Sequence, residues 1–349
     1  MTKKQEPYAM YQNLPRPEYP FLSGYEFHSD KLLNPHAEQL KIDTDEMIAS
    51  YTFLSESTRQ KYKLMNSGFI TARMLPYPGD YQRAAACNRV TLWMLVQDDY
   101  YELASQAELE LFRQRFERMW LGDEPEPGDN EILRQVSLSR KEMAVLMPDT
   151  WIERVIEAFN EYFIYGMGGE APYKATQRCP PLAEFFLIRE YSLAEYPYML
   201  MQEVILDFPL PDFLAKHPVI KQFQRLTCRI MAWQNDFYSL PKEIGRDSEM
   251  MNIVLVLQNE YNMSLEEAYA EAIRISDTDI REFHALFAAM SDFGAYQQQV
   301  ITYVVYLMAE IQGLQLYYER DAFRYTSDVW PDPEFSSDKE PENGAGRYD

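Results

Sequence analysis

Cysteine and histidine are nearly missing from this chain of 349 residues, which has three cysteines (Cys87, Cys179, Cys228) and four histidines (His28, His36, His217, His284). The cysteines are odd in number, widely spaced and never arranged as CxxC, which excludes a disulfide framework and a thiolate zinc site. The histidines are too scattered for a metal cluster and are read as structural or surface residues. Positive charge is also in deficit, the formal balance being -22. Non-specific nucleic-acid binding needs basic side chains to displace counterions, and an acidic surface avoids anionic membranes, so neither partner is expected. No run reaches the roughly 18 apolar residues of a spanning helix, and the N-terminus (MTKKQEPYAMYQNLPRPEYP) has no apolar signal core. A soluble, cytoplasmic protein is expected. Strand-like alternation is almost absent, and there is no internal repeat.

Bulky side chains, in contrast, are abundant: 26 Tyr, 19 Phe, 5 Trp and 18 Met within a hydrophobic fraction of 46%. They suffice to line a large apolar cavity as well as to fill a core. Residues 1–30 carry Pro7, Pro15, Pro17, Pro20 and Gly24 and are read as an irregular arm. Amphipathic helical runs follow at about 36–52, 57–66, 84–104, 106–121, 128–143, 149–166, 181–205, 219–243, 265–275, 280–289 and 292–320. The breaks between them are short and rich in Pro, Gly and Asp, as in Pro76-Tyr77-Pro78-Gly79-Asp80, and suit connections within one bundle. The expectation is an all-α, single-domain bundle over 31–325, with 326–349 a disordered acidic tail.

Two segments are dense in oxygen ligands: Asp98-Asp99-Tyr100-Tyr101-Glu102, and Asn235 through Glu243 (NDFYSLPKE). On helices, Asp98 and Glu102 share a face, as do Asn235, Ser239 and Glu243. Such hard donors suit magnesium and not zinc or iron, and magnesium commonly brings phosphate oxygens with it. Lys242, Arg178, Arg189 and Arg324 are candidate cations for that phosphate. Asp236 is rotated about 100 degrees from Asn235 and is expected to make a structural contact. Pro241 should kink or end its helix. Thr91, Met94 and Leu95 lie one or two turns before the first acidic segment and point to a shared cavity. Trp93, Phe185, Phe186, Leu193, Tyr317 and Tyr318 complete the candidate cavity wall.

The first segment resembles the DDxx(D/E) motif, and Asn235, Ser239 and Glu243 resemble the (N/D)DxxSxxxE triad, of the bacterial class I terpene synthases. Arg324-Tyr325 is similar to that family's C-terminal Arg-Tyr pair, and Arg189 to its basic diphosphate sensor. The match spans residues 30–325. The family often places an acidic residue and a glycine three and four positions after the sensor, where this chain has Ser192 and Leu193, and Tyr317 or Tyr318 stands where many members have tryptophan. The resemblance implies a helical bundle around a central apolar cavity and three magnesium ions bound with an isoprenyl diphosphate. Asp98, Asp99, Glu102, Asn235, Ser239 and Glu243 would hold metal, and Arg189, Lys242, Arg324 and Tyr325 would grip diphosphate. Asp98, Arg189, Asn235, Ser239 and Glu243 would be the catalytic set. The implied reaction is ionisation and cyclisation of farnesyl diphosphate, or next geranylgeranyl diphosphate, to a cyclic hydrocarbon or alcohol, carried out by a homodimer. The alternatives are a chain-elongating prenyl transferase, which uses a second aspartate-rich motif where this chain has the triad, and a catalytically silent isoprenoid-binding helical protein.

Overall fold

Polar residues just ahead of apolar periodic runs set several of the helix starts. Ser105 with Glu108, and Ser264 with Glu267, form reciprocal capping boxes, while Ser55, Asp80, Asn130 and Asn252 each accept a first-turn N–H. The computed structural model describes residues 14, 16–21, 32–77, 79–244 and 250–322. Arg324, Tyr325 and the tail 326–349 lie outside the described residues.

The helices run in the order α1 (Ala37–Ser50), α2 (Glu56–Met65), α3 (Ser67–Met74), α4 (Tyr81–Tyr101), α5 (Gln106–Leu121), α6 (Glu131–Leu146) and α7 (Asp149–Glu161). A π-helical turn, Tyr162–Met167, leads into α8 (Gly168–Thr176), followed by α9 (Leu182–Ser192), α10 (Glu195–Ile205), α11 (Asp212–Ala215) and α12 (Pro218–Glu243). Then come α13 (Ile253–Tyr261), α14 (Leu265–Ala288) and α15 (Gln297–Leu316), the last running into a second π-helical turn, Tyr317–Asp321. No strand occurs among the described residues. The fold is all-α, as the periodicity implied.

Three differences from the expected elements have local causes. The run 181–205 is two helices, because Ala194 takes a left-handed conformation (φ 60°) between α9 and α10. The runs 265–275 and 280–289 are one helix, since the polar stretch between them is partly internal: Asp279 is buried, accepting from Trp233 Nε1 at 2.7 Å and pairing with Arg229. The segments α3 and α13 are too short and too evenly apolar to show a 3.6-residue period. Pro241 lies in the last turn of α12, which ends two residues on at Glu243, the end expected for the run 219–243.

Helix α12 is central, with buried residues on nearly every side, and packs against α14, α15, α9 and α10. On the other side α4 packs against α6, α3 and α1. A buried bidentate pair, Arg154 to Glu203 at 2.6 Å, joins α7 to α10, and Glu203 also accepts from Leu210 N–H. Of the proline-rich arm, Tyr19 and Phe21 are buried, Phe21 packing against Phe283 and His284.

Helices α15 and α3 meet at Gly313, where an added Cβ would lie 2.0 Å from the Arg73 carbonyl oxygen. No rotamer change can relieve a clash with backbone. Gly313→Ala is therefore expected to destabilise the fold by at least about 1–3 kcal/mol through overpacking. Urea unfolding checks this, and an unchanged midpoint would show that the two helices can separate at no cost.

Candidate active site

The C-terminal ends of α4 and α12 open onto one cavity of about 270 Å³, whose wall includes Asp98, Asp99, Glu102, Asn235, Lys242 and Glu243. Asp98 sits at the mouth, reachable by solvent although protein surrounds it, and accepts from Tyr162 Oη at 3.0 Å. Loss of bulk water pushes its carboxyl up to about 6; Lys174 opposes this, while Asp99, Glu170 and Glu102 add to it. Asp99 accepts from Tyr62 Oη at 2.5 Å.

Across the mouth, Asn235 Oδ1 accepts from Arg189 Nη2 at 2.9 Å, and its Nδ2 donates to Tyr318 Oη at 2.8 Å. Glu243 accepts from Asn252 Nδ2 at 2.8 Å, and the same amide donates to the Asp236 carbonyl, also at 2.8 Å. Asp236 makes the structural contact expected of it: one oxygen accepts from Arg189 Nε and Nη2 at 3.0 and 2.6 Å, and the other from Ile253 N–H at 2.8 Å. Arg189 is thus fixed on the cavity wall by α12. Arg178 is exposed ahead of α9, outside the cavity lining.

Several positions depart from the expected wall. Thr91, Met94, Leu95, Leu193, Tyr317 and Tyr318 do line the cavity, but Trp93, Phe185 and Phe186 do not. Trp93 turns into the core between Phe116 and Phe159, with its Nε1 donating to Ser139 Oγ at 3.0 Å. Phe185 and Phe186 pack on Trp233, away from the cavity. One residue of difference along a helix rotates a side chain by about 100 degrees, which is enough to exchange wall for core. Ser239 is buried behind the wall, its hydroxyl donating to the Asp236 carbonyl at 3.5 Å.

Other wall residues had no motif to mark them. Lys61 from α2 and the buried ion pair Lys174–Glu170 (2.9 Å) from α8 add cationic groups to the mouth. Burial alone would raise the Glu170 carboxyl, but Lys174 and Arg189 outweigh it and hold it below the ordinary range. The i,i+4 spacing of Glu170 and Lys174 was visible in sequence, yet ordinary exposed helix pairs look the same.

Further along the wall are Tyr198 and Glu195, the first residue of α10, which is 3% exposed. Glu195 and the fully buried Glu310 of α15 bear on one another electrostatically. Burial pushes Glu310 up to about 8, with the Gln202 amide and Glu195 opposing the rise. A carboxyl raised in the folded state holds its proton where the unfolded chain has lost it. Its stability contribution is complete below about pH 4.5, the ordinary value, and is lost as pH climbs towards 8. Wild type is therefore expected to lose stability relative to Glu310→Gln between pH 5.5 and 8.5, by up to on the order of 1 kcal/mol per pH unit. Denaturant midpoints of the two proteins across that range test this, and parallel curves would contradict it.

Solved structures share this architecture. An ancestrally reconstructed protein superimposes with a TM-score of 0.75 at 22% identity, over 83% of this chain and 87% of that one. Hedycaryol synthase in complex with nerolidol superimposes with 0.67 at 16%, over 82% and 95%. An all-α bundle whose cavity mouth is lined with acidic and amide oxygens has the form of a terpene synthase. Residues 89–282 match terpene synthase family 2, C-terminal metal binding, and the chain belongs to that family of enzymes, which are lyases. Curated relatives include the (+)-T-muurolol synthase of Roseiflexus castenholzii, described as (2E,6E)-farnesyl diphosphate cyclizing, at 25% identity over 72% of this chain and 77% of that one. Another is the germacrene A synthase of Nostoc punctiforme, at 25% over 84% and 91%. No helix among the described residues is long and apolar enough to cross a membrane.

Proposed function

We propose that this chain ionises and cyclises an acyclic isoprenyl diphosphate with the help of magnesium, farnesyl diphosphate first and geranylgeranyl diphosphate next, releasing diphosphate and a cyclic terpene hydrocarbon or alcohol. The observation that carries this reading is one cavity with oxygen donors and cations together at its mouth and an apolar wall behind them. Asp98 and Asp99 on α4, Glu102 just past its end, and Asn235 and Glu243 on α12 are hard donors of the kind magnesium takes, and Ser239 is proposed as a further donor from behind the wall. Among the described residues no three acidic, histidine or cysteine groups gather into a metal site by themselves, and magnesium sites of this type draw further ligands from water and substrate phosphate. Magnesium, when bound, supplies Lewis-acid neutralisation of the leaving diphosphate.

The chain's own groups do the rest. Arg189, Lys174, Lys61 and Lys242 put positive charge where negative charge grows as the carbon–oxygen bond breaks. Met65, Met94, Leu95 and Leu314 exclude water from the allylic cation, and the ring faces of Tyr317 and Tyr318 offer it electrostatic support. Arg324 and Tyr325 are proposed to complete the diphosphate grip, and a homodimer is the proposed assembly.

Purified protein incubated with magnesium and geranyl, farnesyl or geranylgeranyl diphosphate, with and without a chelator, tests the reading by diphosphate assay and by gas chromatography with mass spectrometry. A cyclic product from one substrate, lost on chelation, is expected; no diphosphate released from any of the three overturns it. Asn252 orients Glu243, so Asn252→Ala is expected to raise the magnesium concentration for half-maximal diphosphate release by about 10- to 100-fold, the usual effect of removing an outer-shell partner. An unchanged magnesium dependence would remove Asn252 from that role.

A further inference from the structure

In the arm ahead of α1, Pro17, Tyr19 and Phe21 turn inward while Glu18 and Pro20 stay exposed, the alternation of an extended segment anchored on one side. Leu14 packs against the core cluster that includes Phe237 and Tyr269, and Phe21 packs on Phe283 and His284 of α14. Anchored at both ends, the arm places the Arg16 guanidinium 3.6 Å from the centre of the Tyr238 ring. At that distance the cation is attracted by the negative face of the ring.

Tyr238 lies three residues after Asn235 on α12, and the cavity wall includes neither Tyr238 nor Arg16. What Tyr238 reaches is the π-helical turn Tyr317–Asp321. Its ring stacks on that of Tyr318, with centroids 4.7 Å apart and planes at 28°, and its hydroxyl donates to Glu319 Oε1 at 2.8 Å. The far end of the turn is held by α2 and α3: Arg73 Nε donates to Asp321 at 2.7 Å, and Tyr317 Oη donates to the Met65 carbonyl at 2.6 Å. Tyr318 lines the cavity, and its hydroxyl accepts from Asn235 Nδ2 at 2.8 Å. An amide carries its donors on one end and its acceptor on the other. Tyr318 therefore fixes the nitrogen and leaves Oδ1 for Arg189 and for the proposed metal.

We propose that Arg16 is a positioning residue for the metal-binding amide of Asn235, acting from outside the cavity through Tyr238 and Tyr318. The inference rests on the reading of Asn235 as a magnesium donor. Arg16 restrains the Tyr238 ring. Tyr238 restrains the π-helical turn by stacking and by its bond to Glu319, and Tyr318 in that turn sets which end of the Asn235 amide faces the metal. Without the cation, Tyr238 loses a restraint, and Tyr318 reaches positions from which its hydroxyl no longer holds Asn235 Nδ2. The loss falls on magnesium binding. It spares bond breaking at saturating metal, because Arg16 is not on the cavity wall.

The test titrates the full chain with magnesium while measuring diphosphate release from whichever of geranyl, farnesyl and geranylgeranyl diphosphate wild type turns over. Arg16→Ala is expected to raise the magnesium concentration for half-maximal release by about 3- to 10-fold, below the range of a direct outer-shell partner. Its rate at saturating magnesium should stay within about two-fold of wild type. Arg16→Lys, whose ammonium is also held over a ring face, should stay within about two-fold in both quantities. Tyr318→Phe removes the acceptor itself, so adding Arg16→Ala to it is expected to shift the magnesium dependence no further. A purely structural Arg16 would lower the urea midpoint and leave the magnesium dependence in place. Far-UV circular dichroism establishes that each variant is folded; if Arg16→Ala is not, Arg16→Gln, which keeps most of the stem without the charge, decides. An unchanged magnesium dependence, a lysine variant as impaired as the alanine one, or effects that multiply in the double variant overturn the positioning role alone. No diphosphate release from wild type with any of the three substrates, or release that needs no magnesium, overturns the proposed reaction and this role with it.

Discussion

Asn235→Ala is expected to slow diphosphate release by on the order of 10²- to 10³-fold, the loss typical when one preorganised electrostatic group is removed from the reacting centre. Three functions end with this one amide. Its oxygen is a proposed metal donor and also accepts from Arg189 Nη2, while its nitrogen donates to Tyr318 Oη in the π-helical turn after α15. Without it, Arg189 retains Asp236 and Ser192 as partners but Nη2 loses one of its two acceptors. Stability should change much less than rate, since Asn235 is only half-buried and its neighbours are anchored elsewhere. Steady-state diphosphate release at saturating magnesium, set beside urea unfolding of the same variant, measures both. A rate within about ten-fold of wild type would place the metal and the sensor arginine on other residues.

Asp236→Ala should act in the opposite proportion, lowering stability by about 3–5 kcal/mol, the range seen when one partner of a buried ion pair is deleted. The Asp236 side chain is 1% exposed and that of Arg189 9%. Removing the carboxylate strands the guanidinium and leaves the Ile253 N–H at the start of α13 unsatisfied as well. Asn235 and Ser192 still accept from Arg189 but bring no charge. A denaturant midpoint within the error of wild type would show that the pair is compensated in place by Glu170, which already bears on Arg189 electrostatically.

That Asp98, Asp99 and Glu102 and, from α12, Asn235 and Glu243 share one cavity was legible because it depends on the 3.6-residue period, whereas Ser239 of the same row is buried behind the wall. Asp236 was legible for the same reason: adjacency on a helix turns it away from Asn235, and it does pair elsewhere. The aromatic wall was not. Trp93, Phe185 and Phe186 sit on helices that carry site residues, but a helix of this bundle touches neighbours on several sides, and apolar side chains serve a core and a cavity equally well. The break at Ala194 was likewise hidden, because alanine gives no local signal for a left-handed conformation.

Composition and periodicity by themselves determined an all-α chain with no disulfide or thiolate metal framework, and the two ligand rows with their proposed ion. Local backbone geometry is enough for such features, since it fixes which residues of one helix share a face. Tertiary structure alone decided what each row meets: that Asp236 holds Arg189, that Asn252 holds Glu243, that Lys61 and Lys174 join the mouth, and that Glu195 and Glu310 share a buried site. Those contacts join residues 9 to 115 positions apart in the chain. They follow from how the helices pack, which no single helix's periodicity specifies.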